Sequence, residues 1–141
     1  MLNKDFINRK IKMIQEDLID LEKLAAKTQS QVIKNSLAYG AAERYLEKII
    51  TRAIDINQHL LAEMGNGKEK VRTYQDTFLK LSDLNVYPAK FGAAIAPSAG
   101  LRNILVHEYD EVDPKKIYNS LGEAVEQYAR YCEHILSFIS K

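Results

Sequence analysis

Apolar residues return every three or four positions along nearly the whole of this 141-residue chain, and no segment alternates convincingly with period two. A strand buries every second side chain, whereas a helix buries one stripe of its 3.6-residue turn. A chain patterned this way can hide its apolar surface only by packing helix on helix. Ile7, Ile11, Ile14, Leu18, Leu21 and Ala25 form the first stripe, over roughly residues 4 to 27. Thr28-Gln29-Ser30 interrupts it, with Ser30 placed to cap the next helix. That next stretch is the longest, from about residue 31 to 63. Leu37, Ala41, Tyr45, Ile49, Ala53, Ile56 and Leu60 make one face of it, widened by Leu46, Ile50, Ile54 and Leu61. A helix of about 33 residues would run about 50 Å, long for a domain of this size. Its broad apolar face predicts two clients, its own core and a second copy in a symmetric homodimer.

Punctuation residues divide the remainder. Gly65-Asn66-Gly67 ends the long segment, with Gly65 in position for a left-handed residue after the helix. Thr73-Tyr74-Gln75-Asp76 resembles a capping box with Asp in place of Glu, and opens a short helix to about Leu84. Asn85-Val86-Tyr87-Pro88 is a turn. Helix resumes from Pro88, kinks or restarts at Pro97, and continues to about Glu108. Asp113 can then cap, and Pro114 can take the first position of the last helix. Its stripe is Ile117, Leu121, Val125, Tyr128, Cys132, Ile135 and Ile139. The expected fold is all-α, an antiparallel bundle of about five helices, forming one domain over residues 1–141.

Composition narrows the classes of function. Twenty basic and nineteen acidic residues leave a net charge of +1, so whole-protein attraction to nucleic acid is not indicated, and any RNA contact must come from a local cluster. One cysteine, Cys132, precludes an internal disulfide and suits a reducing compartment. No long apolar run follows Met1, and no window of about 18 residues is uncharged and apolar. These readings predict a cytoplasmic protein with no membrane span.

The densest polar cluster within an apolar stretch is Leu101-Arg102-Asn103-Ile104-Leu105-Val106-His107-Glu108-Tyr109. On a helix Asn103 and His107 stack four apart, and Arg102 and Tyr109 align seven apart on a neighbouring line. Phosphoryl chemistry wants such a set. Arginine offers a permanently charged planar fork that matches phosphate oxygens. Histidine exchanges a proton near neutral pH, and Asn can orient either the imidazole or the phosphate. A purely architectural account stands beside this one: Arg102 and Asn103 tie down a helix end and His107 is a satisfied interior histidine.

The array Arg102, four residues, His107, one residue, Tyr109 closely resembles the motif of the HepT-like toxins, a branch of the HEPN (higher eukaryote and prokaryote nucleotide-binding) superfamily. Tyr39-Gly40-Ala41-Ala42-Glu43-Arg44 and Asp55-Ile56-Asn57-Gln58-His59 look like that family's second helix. Thr73-Tyr74 with Phe78 and Leu81 looks like its third, and Val112-Asp113 with Ile117-Tyr118 like the start of its last. The resemblance implies a helical dimer whose two motif helices face each other across a cleft, and RNA cleavage without a metal or other cofactor. Arg102 would bind the phosphate, His107 would move the proton, and Asn103 would position one of them. It also implies a minimal nucleotidyltransferase antitoxin, in a type VII-like pair, that silences the toxin by transferring AMP to Tyr109.

Other candidates are weaker. Asp55 and His59 share a helix face but lack further metal ligands in register. Glu43-Arg44 and Lys115-Lys116 could approach a cleft or an RNA backbone, although such pairs are commonly solvated. His134 reads as surface, and Cys132 as a small core residue. Two other functions remain open beside the ribonuclease toxin. One is a catalytically silent HEPN subunit that binds nucleotide or supports a nucleotidyltransferase; the other is a purely structural dimer.

Overall fold

The computed structural model of the chain describes residues 1–65, 71–107 and 112–141. Among these lie seven helices and no strand. They are α1 (Lys4–Ala25), α2 (Gln29–Ile33), α3 (Ser36–Met64), α4 (Tyr74–Asp83), α5 (Ala89–Ile95), α6 (Ser98–His107) and α7 (Pro114–Ile139). The central element is α3, which packs against α1, α2, α4, α6 and α7. Polar pairs give its direction relative to α1: Asn3 meets His59, Lys10 meets Asp55, and Asp17 meets Lys48 and Arg52. Ascending numbers on one helix face descending numbers on the other, so the two run antiparallel.

The expected long helix is shorter and begins later. Thr28, rather than Ser30, is the capping residue before it. Its hydroxyl accepts from the Gln31 backbone N–H at 3.2 Å, and the Gln31 amide oxygen accepts from the Thr28 N–H at 2.9 Å. That reciprocal pair nucleates the five-residue α2. The Asn35 side chain then accepts from the N–H groups of Leu37 and Ala38 and starts α3 afresh. Gly65 also differs from expectation: its φ of −72° and ψ of 156° are extended, not left-handed. The helices are seven rather than about five because α2 is a separate turn and Pro97 restarts the chain instead of kinking it.

The broad apolar face of α3 is consumed within one chain. Ile49, Ala53, Ile56 and Leu60 from its main stripe, and Leu46, Ile50 and Ile54 from the widening, are all buried. Only Leu37, at the first turn, stands 85% exposed. The width of that face therefore reflects the five helices it serves, and does not by itself require a second copy.

Two details shape the α4–α5 corner. Asn85 adopts φ 62°, a left-handed conformation that Asn tolerates better than most residues. It lets the Val86 N–H reach back to the Leu81 carbonyl at 3.1 Å. A Cβ at Gly92 would lie 3.2 Å from a Tyr87 ring carbon and 3.4 Å from the Phe78 carbonyl, so this glycine permits close approach of α5 to α4. The Tyr87 hydroxyl caps the Phe78 carbonyl at 2.6 Å inside the core.

A buried polar chain crosses three helices. The Tyr131 hydroxyl of α7 donates to Asn57 Oδ1 of α3 at 2.6 Å, and Asn57 Nδ2 donates to Thr77 Oγ1 of α4 at 3.1 Å. The Thr77 hydroxyl in turn donates to the Tyr74 carbonyl at 2.6 Å. Asn57, Thr77 and Tyr131 are each fully buried, so water cannot replace a lost partner. Tyr131→Phe is expected to lower unfolding free energy by about 1–3 kcal/mol, because Asn57 Oδ1 is left unsatisfied. Urea unfolding checks this: the midpoint should fall at unchanged slope.

The first turn of α4 is closed by a capping box, as the sequence suggests. Asp76 accepts from the N–H groups of Arg72 and Thr73, and its own N–H donates to the Thr73 hydroxyl. The backbone N–H of Arg72, then that of Thr73, hold the Asp76 carboxyl below its ordinary 3.8, against an opposing effect of desolvation. A carboxyl lowered by folding contributes fully above its ordinary value, and that contribution is lost as pH falls through the lower, folded value. An acid titration followed by NMR should therefore show the Arg72 and Thr73 amides shifting below the usual carboxylate range. Asp76→Asn should abolish that step, and titration of Asp76 at or above the ordinary value would contradict the capping role.

Candidate active site

Helix α6 is positioned at its start by Ser98 and along its length by apolar anchors. Pro97 ends the preceding helix, and the Ser98 and Tyr128 hydroxyls share a hydrogen bond at 2.6 Å, tying α6 to α7. Ala99, Leu101 and Leu105 are buried beneath it. With 100° per residue, Asn103 and His107 then fall opposite Leu101 and Leu105 as a ridge, and both are exposed. His107 is the last residue of α6, about 7.5 Å beyond Arg102 along the axis. It is not the interior histidine of the architectural account, since its side chain faces solvent.

Arg102 flanks that ridge and is half-buried between α3 and α4. Its Nε donates to Thr51 Oγ1 at 2.9 Å. The guanidinium carbon lies 5.1 Å from the centroid of the Tyr74 ring, within cation–π range. Both of these partners are uncharged, so they hold the guanidinium without neutralising it. Beside it, a cleft of about 440 Å³ is lined by Gln58, Arg72, Thr73, Tyr74 and Asn103. The exposed Arg72 lines the same cleft and adds a second positively charged residue to its rim. An anionic chain laid along α6 would meet a held cation, an amide and an imidazole in turn, with a further cation to one side.

The sequence candidates separate accordingly. Arg102, Asn103 and His107 come together on one helix, while Tyr109 lies outside the described residues. Asp55 and His59 do not form a joint site: Asp55 pairs with Lys10 at 3.0 Å, and His59 Nε2 accepts from the Asn3 N–H at 3.0 Å. His59 also packs on Phe6 at 5.3 Å between ring centroids. Among the described residues, no three or more His, Cys, Asp or Glu side chains are grouped to hold a metal ion. Arg44 pairs with Glu47 at 3.6 Å, and burial raises the Glu43 carboxyl above its ordinary value. Lys115 and Lys116 are exposed, and Lys116 borders a hollow of about 340 Å³ lined also by Leu101 and Ile104 on the other flank of α6.

His134 is a correction to the surface reading. It is half-buried and packs against Phe91 and Tyr87, with ring centroids 4.8 and 5.8 Å away. Cys132 is a core residue, its thiol pushed up to about 12 by burial and the nearby Glu133 charge. Sequence reasoning missed Thr51 and Tyr74. Tyr74 was visible as an aromatic at a helix start and as part of the stretch resembling the family's third helix, and Thr51 as an ordinary polar position on α3, because their meeting with Arg102 is made by tertiary packing.

Comparison with known proteins places these observations. The sequence model of a family described as "Ribonuclease HepT-like" matches residues 14–135. A curated relative from Aphanizomenon flos-aquae, tRNA nuclease HepT, is 39% identical over 97 residues, which is 69% of this chain and 65% of that relative. The match thus spans slightly less than two thirds of the relative's length. Among solved structures, YutE from Bacillus subtilis, a cytosolic protein of unknown function, superposes with a TM-score of 0.82 at 17% identity, covering 98% of this chain and 91% of that one. A tri-AMPylated Shewanella oneidensis HEPN toxin in complex with MNT antitoxin gives 0.82 at 21% identity, covering 94% and 98%. At such identities the two structures establish a shared fold.

Proposed function

Because the chain belongs to the ribonuclease HepT-like family, we propose that it is a metal-independent endoribonuclease, the toxin of a type VII-like toxin–antitoxin pair. The observation that carries this reading is the arrangement on α6. Arg102 is held by uncharged partners beside the exposed ridge of Asn103 and His107. The ribose 2′-oxygen attacks the adjacent phosphorus while His107 accepts its proton, and the bond to the leaving 5′-oxygen breaks as that oxygen gains a proton. Arg102 stabilises the charge that builds on the phosphoryl oxygens, and Asn103 orients the phosphate or the imidazole. The products are a 2′,3′-cyclic phosphate end and a free 5′-hydroxyl. The relative named a tRNA nuclease makes tRNA the first substrate to try.

A homodimer suits this chemistry, because one imidazole per chain must otherwise serve both as acceptor and as donor. Two copies opposed across α6 would bring two His107 side chains to one cleft. We place the activity in the cytoplasm, a reducing compartment that the lone Cys132 suits. Among the described residues no helix is long and apolar enough to cross a membrane.

Purified protein should cleave RNA with EDTA present. His107→Ala and Arg102→Ala should each lower the rate by about 10²–10⁴-fold. Retained cleavage by His107→Ala would remove its proton-transfer role, and a strict requirement for added magnesium would sink the scheme. RNA binding without cleavage would assign the chain to a silent accessory role instead.

Regulation falls to Tyr109, two residues beyond His107. AMP on its hydroxyl would set a bulky anion against the cation that RNA phosphate needs, combining charge competition with occlusion. The tri-AMPylated state of the Shewanella oneidensis neighbour supports AMP transfer to a toxin of this fold, and the choice of Tyr109 rests on the motif. Intact-mass analysis after co-expression with a minimal nucleotidyltransferase antitoxin should show added AMP units that vanish in Tyr109→Phe. Full silencing of unmodified protein would leave simple occlusion by the antitoxin.

A further inference from the structure

We propose that Thr51 and Tyr74 are positioning residues for Arg102, setting its guanidinium so that the two terminal nitrogens, and not Nε, meet the RNA phosphate. This rests on the ribonuclease reading above and assigns to it two residues outside the motif helix. A guanidinium can grip a phosphate by two edges, one made of Nε and a terminal nitrogen, the other of both terminal nitrogens. Thr51 Oγ1, 2.9 Å from Nε, occupies the first edge. The phosphate is left the second.

One hydrogen bond fixes a point but leaves the fork free to rotate about it. The Tyr74 ring supplies the missing constraint, because its centroid lies 5.1 Å from the guanidinium carbon and a cation is drawn to a ring's face. A point and a face together determine where the fork aims. Neither partner carries a charge, so the fork is oriented without being neutralised, which a carboxylate in the place of Thr51 would not achieve.

The partners are themselves well founded. Thr51 follows the fully buried Ile50 on α3 and precedes the buried Ala53 and Ile54. Tyr74 opens α4, and its carbonyl is the last acceptor in the buried chain from Tyr131 through Asn57 and Thr77. The capping box of Thr73 and Asp76 closes the same turn. Tyr74 is therefore exposed at its ring but anchored at its backbone, as a platform must be.

The test measures kcat and KM separately for a defined oligoribonucleotide in EDTA, using the full-length protein. Thr51→Val keeps the shape and removes the hydroxyl; it should lower kcat about 10- to 100-fold with little change in KM. Thr51→Ser should restore the rate. Tyr74→Leu should behave like Thr51→Val, and Tyr74→Phe, which keeps the ring face, like wild type. In an Arg102→Ala background Thr51→Val should cost nothing more, since there is no fork left to aim. The Arg102 Nε–H resonance gives a readout independent of turnover: Tyr74→Leu should shift it by removing the ring current, and Thr51→Val should speed its exchange with solvent.

Wild-type kcat in Thr51→Val and Tyr74→Leu, with Arg102→Ala inactive, would overturn the positioning role and leave the ribonuclease reading standing. Equal losses in Thr51→Ser and Thr51→Val would also overturn it, by showing that packing rather than the hydroxyl matters. No cleavage by the wild-type protein would bring down the ribonuclease reading and this role with it.

Discussion

The fully buried Asn57 sets the terms for the helices around it. A carboxamide removed from water must find both a donor for its oxygen and an acceptor for its nitrogen, or destabilise the fold. Here the oxygen takes the Tyr131 hydroxyl from α7 and the nitrogen reaches the Thr77 hydroxyl on α4. Apolar packing alone tolerates sliding of one helix along another, since a leucine meets one neighbour much as it meets the next. The carboxamide does not, because a shift of one residue removes its partners. Asn57 thus selects one register of α3, α4 and α7, and the Tyr74 turn that underlies Arg102 inherits that register.

A second polar set does the same between α1 and α3. Asp17 is buried and pairs with Lys48 at 3.4 Å and with Arg52. Loss of either cation would leave a carboxylate short of partners in a poorly solvated seam. The pair Lys10–Asp55, one to two turns further along, repeats the match at half-exposed positions. The long helices are thus aligned by a few charged and polar contacts set in an apolar seam. The motif helix, α6, is carried on the result, and is fastened at its start by the Ser98–Tyr128 hydroxyl pair.

Much of this was legible in the sequence, for physical reasons that differ by element. The stripes of α1 and α7 were clear because their buried residues recur at helical spacing without a break. The capping box of Thr73 and Asp76 and the Asp113-Pro114 start of α7 were clear because local chemistry dictates them, whereas Pro97 allowed either a kink or a restart. The exposed ridge of Asn103 and His107 comes from helical spacing once the aliphatics beneath it are placed. What stayed hidden depends on choices between local rivals or on contacts distant along the chain. Thr28 and Ser30 were both plausible caps, and only the reciprocal bond with Gln31 decides between them. The width of the α3 face could signal a second copy or many neighbours, and its own chain supplies the neighbours. Thr51 offered no pattern at all, since its importance comes from an arginine 51 positions later.

The burial of Cys132 has a practical consequence. Its sulfur is the sole thiol in the chain, sits 1% exposed on α7's inner face, and stays protonated at neutral pH because its pKa is pushed up to about 12. A thiol reagent requires both access and thiolate, so the folded protein offers neither. Alkylation of this one sulfur can proceed only through openings that expose the helix core, and under fast-closing conditions its rate reports the free energy of those openings. The molecule carries an internal gauge of its own cooperativity, one that reads the bundle without perturbing α6.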